Sequence, residues 1–226
     1  MTLKTLLASA ALATVLPFAA LADTVANKAT AIEALTATLG KGDIAAVDQY
    51  FDPSYVQHNP DIADGTEPLK ALITSLHASG MFKSQTARVI ADGDLVAFHG
   101  RYEGFGPTPL VAFDVFRMKD GKIVEHWDNL TAETAPNPSG HSQIDGATAI
   151  TDLDKTDANK ALVTDFVTRA LIKGEHVDFT KYINPTTYVQ HNSQVADGLE
   201  GFGAFMGEMA AKGISMKYNQ VHQVIG

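Results

Sequence analysis

Two side chains able to hold a proton stand two positions apart in Glu125-His126-Trp127-Asp128. On a strand, the side-chain period of 2 puts Val124, His126 and Asp128 on one face and Ile123, Glu125, Trp127 and Asn129 on the other. An aspartate in an apolar pocket resists ionisation, and a neighbouring imidazole can hold or share its proton, which is the equipment for moving a proton alpha to a carbonyl. Alternation alone leaves open whether this face turns inward or the Trp127 face does, with His126 and Asp128 then a pair at the sheet rim. Asp114 falls on a face with Ala112, Phe116 and Met118. A carboxylate among apolar neighbours is costly unless it is paired or lines a polar spot in a cavity, so Asp114 is a second candidate, with His126 or His99 as its partner. His99 shares a face with Leu95, Ala97 and Arg101, and Phe98 and Tyr102 point the other way.

His58 and Tyr55 belong to a segment that the chain writes twice. Tyr55-Val56-Gln57-His58-Asn59-Pro60-Asp61-Ile62-Ala63-Asp64-Gly65 returns as Tyr188-Val189-Gln190-His191-Asn192-Ser193-Gln194-Val195-Ala196-Asp197-Gly198. Asn27-Lys28-Ala29 likewise recurs as Asn159-Lys160-Ala161. Self-similarity on this scale implies a duplicated domain. His58 could orient or polarise a carbonyl and Tyr55 could donate a hydroxyl hydrogen bond; equally, Gln57, His58 and Asn59 could satisfy loop backbone groups and Asp64-Gly65 form a turn. Tyr188 and His191 are the corresponding residues of the second copy.

The elements that must position these residues follow from periodicity. Val25, Ala29, Ile32, Leu35 and Leu39 mark a first helix, and Ile44, Val47, Tyr50 and Phe51 a shorter one stopped by Pro53. The signature follows as a loop or short strand. Leu69, Leu72, Ile73 and Leu76 mark a third helix. Period-2 strands are expected over 83–90, 95–102, 110–118 and 123–130, punctuated by Asp92-Gly93 and Asp120-Gly121. Helices followed by an antiparallel meander make an α+β domain. Residues 132–156 read as a linker. Helices then recur over 159–171, 177–182 and 199–211, with one strand over 217–225. The second copy has no counterpart to 91–130, so it is expected to be incomplete: a fragment, a sheet finished by a partner chain, or a degenerate cap.

A net charge of -9 in 226 residues disfavours nucleic acid and anionic membrane as partners. The absence of cysteine excludes disulfides, thiolate nucleophiles and Cys-based metal sites. Lys4, the apolar stretch 6–20 and Ala20-Leu21-Ala22 read as a secretory signal (residues 1–22, cleavage after Ala22), so a periplasmic or secreted protein with no membrane attachment after cleavage is expected. His58, His99 and His126 could in principle gather around a metal, but no H-x-H or H-E-x-x-H spacing exists, and the metal-free, cofactor-free reading is preferred.

Three helices followed by a meander ending in Glu-His-Trp-Asp, together with the Tyr-Val-Gln-His-Asn-Pro and Ala-Asp-Gly elements, resemble the SnoaL-like branch of the NTF2-like superfamily, and within it the predicted aldol-condensation group. The resemblance covers Val25 to Leu130 and, as a truncated second copy, Asp157 to Gly226. It implies a cone, in which three N-terminal helices plug a curved antiparallel sheet around a mostly apolar cavity, and sheet-to-sheet pairing as a homodimer or within one chain. It also implies an aspartate acting as acid/base on a carbonyl compound without metal or cofactor; the matching position is Asp128, supported by His126, Asp114 and His58. Tyr55, His99, Trp127 and Phe116 are then candidate contacts to a small apolar substrate. The domains expected are 23–131 and 157–226. A binding protein that uses the same cavity without turnover is the alternative.

Overall fold

The computed structural model describes residues 17–226. The signal-like segment therefore lies for the most part outside the described residues. The expected α+β architecture is present: helices α1 (Pro17–Leu35), α2 (Ala45–Tyr50) and α3 (Thr66–Ala78) pack on one face of a curved sheet made of β1 (Phe51–Gln57), β2 (Lys83–Asp92), β3 (Leu95–Glu103), β4 (Leu110–Lys119) and β5 (Lys122–Ala132). The strand order is β1-β5-β4-β3-β2. Four strands form the anticipated antiparallel meander, and β1 joins its edge in parallel with β5.

The signature segment thus opens as a strand. Its loop-like Pro53 is tolerated because β1 is an edge strand, where a missing N–H disturbs no second ladder. Between β4 and β5, Asp120 and Gly121 both have positive φ (50° and 74°), as a tight hairpin requires. Between β2 and β3 the register slips between Thr86 and Arg88, opposite Gly100, where a Cβ would come within 2.9 Å of the Gln85 carbonyl oxygen. A bulge of this kind bends a sheet.

The core lies between helices and sheet and is built from Ala31, Ala34, Val47, Phe51, Tyr55, Leu69, Ile73, Val96, Phe98, Phe116, Met118 and Ile123. On α1 the inward residues are Ala31 and Ala34, with Leu35 against the core and Thr38 in the π-helical turn Thr36–Gly40 that follows, whereas Val25 and Ile32 are exposed. The small alanines bring the helix close to the sheet. Similarly, Ile44 is exposed and Ala46 is buried in α2.

Beyond β5, residues 133–155 carry no helix or strand. The second half has α4 (Thr156–Phe166), a π-helical turn over Val167–Ile172, a 3-10 turn over Phe179–Lys181 and α5 (Gly198–Ala211). Neither α4 nor α5 has a buried residue. The strand expected over 217–225 is absent, because a lone strand with no neighbour has no partner for its N–H and C=O groups. The helix expected over 177–182 reduces to the 3-10 turn. No helix among the described residues is long and apolar enough to cross a membrane.

Candidate functional site

Between α1, α3 and the inner face of the sheet lies a cavity of about 70 Å³. It is small beside the ~300–1,000 Å³ of drug-sized ligand sites, so its occupant must be small. Leu35, Leu39, Phe51, Leu69, Leu72 and Phe116 give it apolar walls. Tyr55, Gln57, Asn59, Tyr102, Asp114, His126 and Asp128 also face it, and no Lys or Arg among the described residues lines it.

These polar groups form one hydrogen-bonded chain. Tyr55, Gln57 and Asn59 alternate along β1 and its extension, so period 2 sends all three inward. The Gln57 Nε2 donates to the Tyr55 hydroxyl (3.1 Å), and its Oε1 accepts from the Asn59 backbone N–H (3.0 Å). The same Oε1 lies 2.9 Å from His126 Nδ1, for Gln57 and His126 are register partners across β1 and β5. His126 Nε2 stands 3.3 Å from Asp114 Oδ1, and Tyr102 donates to Asp114 Oδ2 (2.7 Å). Asn59 Nδ2 donates to Asp128 Oδ2 (2.7 Å), and the other oxygen of Asp128 accepts no bond among the described residues. The His126 ring stacks on Phe116, which holds its plane. Burial, with the Asp114 and Asp128 charges adding to it, pushes both the Tyr55 and Tyr102 hydroxyls far above the ordinary phenol range, so both remain un-ionised donors.

The bonding requires a stored proton. Gln57 Oε1 is an acceptor, since a backbone N–H points at it, so His126 Nδ1 must carry the hydrogen that bridges them. His126 Nε2 then faces a carboxylate oxygen, and two acceptors cannot stand 3.3 Å apart in a bond unless a proton lies between them. Asp114 and Asp128 are moreover direct cross-strand partners on β4 and β5. Asp114 with His126 therefore holds a proton beside Asp128. The same three residues gather their ligating atoms within 4.8 Å, the spacing at which a metal ion could be held.

Compared with known families, residues 32–126 match the SnoaL-like domain. No curated protein matches the chain. Among solved structures it is similar to Bal32a from a soil-derived mobile gene cassette (22% identity, TM-score 0.43, covering 48% of this chain and 91% of that one). It is also similar to TsrD from Streptomyces laurentii (20%, 0.41, 48% and 90%) and to an LEH-like epoxide hydrolase of M. tuberculosis (23%, 0.40, 48% and 84%).

Within the matched segment and the β5 residues that complete its sheet, Asp114, His126, Asp128, Tyr55 and Phe116 come together at one cavity. Three other expected residues do not. His58, one position out of phase with Tyr55 and Gln57, lies on the opposite face of the sheet, where it stacks on Trp127 (4.9 Å) and meets Glu125 Oε1 (2.8 Å). Trp127 is covered there by the Arg117 guanidinium. His99 is also on the outer face, stacked on Phe113 and bonded through Nδ1 to Arg88. The three-imidazole metal site is thus excluded by the sheet itself, which separates His126 from His58 and His99. Gln57, Asn59 and Tyr102 are site residues that the sequence reading did not single out, though reading Tyr-x-Gln-x-Asn at period 2 would have found the first two.

In the repeated segment 188–198, Tyr188 and His191 line no such cavity among the described residues. His191 Nδ1 meets the Ser142 carbonyl oxygen and Asp145 Oδ1 (both 2.9 Å), and His191 joins Arg88, His99 and Phe113 around a separate cleft on the outer sheet face.

Proposed function

We propose that the protein is an acid/base enzyme acting on a small, neutral, mostly apolar carbonyl compound, in reactions of the aldol, cyclase or isomerase type. The observation that carries this reading is the hydrogen-bonded run Gln57–His126–Asp114 beside Asp128, one of whose oxygens accepts no bond among the described residues. In the first step, Asp128 takes a proton from the carbon alpha to the carbonyl, breaking that C–H bond. The electron pair forms the C=C bond of an enol as the carbonyl π electrons move to oxygen, and the proton stored at His126 and Asp114 passes to that oxygen. Tyr55 has already accepted from Gln57 and has its own hydroxyl hydrogen to offer the same carbonyl. The lack of a cationic lining favours neutral substrates over carboxylates or phosphates. Nothing in this step calls on a cofactor.

Two wider elements belong to the same proposal. The chain is a tandem of related units, 23–131 and 157–226, a reading supported by the hydrogen bonds that recur at the two signatures. It is exported, a reading supported by the leader-like composition of residues 1–22. The test of catalysis is deuterium uptake by small ketones and 1,3-dicarbonyl compounds in D₂O, read by mass spectrometry. Asp128→Asn should lower uptake by about 10²- to 10⁴-fold, the range for a positioned acid/base group. Uptake unchanged in Asp128→Asn would refute the assignment. No uptake from a broad panel with the unmutated protein would leave the cavity as a binding pocket.

A further inference from the structure

We infer that Gln57 is a positioning residue that sets the tautomer of His126, so that the fixed hydrogen sits on Nδ1 and Nε2, facing Asp114, is left for the transferable one; this inference rests on the acid/base reading above. A glutamine amide can present either end to an imidazole, and here three contacts decide which. Its Nε2 is turned to the Tyr55 hydroxyl (3.1 Å) and its Oε1 to the Asn59 backbone N–H (3.0 Å), a donor that cannot reverse its role. The Gln57 backbone N–H is tied to Asp64 Oδ1 (2.8 Å), and the side chain is buried. The amide is therefore locked with oxygen toward His126 Nδ1 (2.9 Å).

The consequence reaches the chemistry. Free neutral imidazole side chains prefer the hydrogen on Nε2. With it there, Nε2–H would donate permanently to Asp114, and Nδ1 would confront Gln57 Oε1 as a second acceptor. With Gln57 oriented as it is, Nδ1–H is fixed, and the proton between Nε2 and Asp114 is the one free to leave. Gln57 thereby separates a structural proton from a transferable one. Because Gln57 itself touches Tyr55 and Asn59, the same amide also orients the hydroxyl offered to the carbonyl and the amide that holds Asp128. The repeated Tyr-x-Gln-x-Asn pattern acts, in this copy, as a rail of alternate residues along the strand edge.

The experiment is nitrogen NMR of the full protein labelled at histidine, run on the unmutated chain, Gln57→Leu and Gln57→Glu, alongside the deuterium-uptake assay. The unmutated protein should show His126 with hydrogen on Nδ1. Gln57→Leu should move the resting hydrogen to Nε2 and lower uptake by about 10²-fold, the lower end of what a positioned acid/base group contributes. Gln57→Glu, which keeps an acceptor at the same place and guards against misfolding of the leucine variant, should keep hydrogen on Nδ1. A tautomer unchanged in a folded Gln57→Leu protein, or hydrogen on Nε2 alone in the unmutated protein, would overturn the inference. If no ketone takes up deuterium but the tautomer shifts as described, positioning by Gln57 stands and the acid/base function falls.

Discussion

The two signature segments make the same local bonds and differ in what stands across from them. Gly65 N–H donates to the Tyr55 carbonyl oxygen and Gly198 N–H to that of Tyr188, both at 2.8 Å. Gln57 N–H donates to Asp64 Oδ1 as Gln190 N–H does to Asp197 Oδ1. Gln57 Nε2 reaches the Tyr55 hydroxyl as Gln190 Nε2 reaches that of Tyr188, and Asn59 and Asn192 each donate a backbone N–H to the preceding glutamine Oε1. Across from the first segment stands β5, bringing His126 to Gln57. Across from the second stands Asn137 of the linker, buried, which donates to the Gln190 and Val195 carbonyl oxygens. The repeated residues therefore encode a self-satisfied loop, and the chemistry comes from the strand laid against it.

The largest effect that sharpens this contrast comes from paired substitutions of the two glutamines. Where Gln57→Leu should cost about 10²-fold in deuterium uptake, Gln190→Leu should leave uptake unchanged. Equal losses would mean that the second segment also serves a site. Next comes stability. Ile73→Ala, at a fully buried position, should lower the unfolding free energy by about 2–5 kcal/mol. Leu162→Ala on α4, where the side chain is 43% exposed, should change it by less than about 0.5 kcal/mol. Denaturant titration reads both, and a comparable loss at Leu162 would show a second core. Asn137→Ala strips the donors from two carbonyl groups and the acceptor from the Ser139 and His141 N–H groups, and should cost about 1–3 kcal/mol, with faster amide exchange confined to residues 137–141 and 188–198. Acceleration spreading through β1 to β5 would contradict this.

How far the site could be read in advance depended on which face each strand showed. Period 2 along β4 correctly grouped Asp114 with Ala112, Phe116 and Met118, all buried. On β5 it grouped His126 with Asp128, but it sent Ile123 outward. A bulge between Ile123 and Glu125 shifts the phase and returns Ile123 to the core. The signature misled because Pro53, Asn59-Pro60 and Asp64-Gly65 look like loop residues, so Gln57 reads there as a partner of loop backbone groups and not as a strand residue facing a cavity. A parallel edge strand pairs with a partner far along the chain, and no local pattern announces that partner. Likewise, the second half repeats the helical pattern closely, yet without strands to cover its helices bury nothing.

The smallest effect concerns the outer face. Burial, then the Arg88 charge and then His191, hold the His99 imidazole below its ordinary value of 6.5. The unfolded chain therefore binds this proton more readily than the folded one, and stability is lost as pH falls from 6.5 through the lower folded value. His99→Gln should flatten that part of the stability profile and leave deuterium uptake unaltered, because His99 is on the far side of the sheet from Asp128. A profile unchanged by the substitution would remove His99 from the account.

The central claim, a transferable proton held by Asp114 and His126 beside Asp128, is tested most directly by neutron diffraction from crystals exchanged into D₂O. Deuterium on His126 Nδ1 and a second deuteron between Nε2 and Asp114 Oδ1, with Asp128 bare, is the result expected. A His126 carrying deuterium on Nε2 alone, or a deuteron on Asp128 with none between His126 and Asp114, would contradict it.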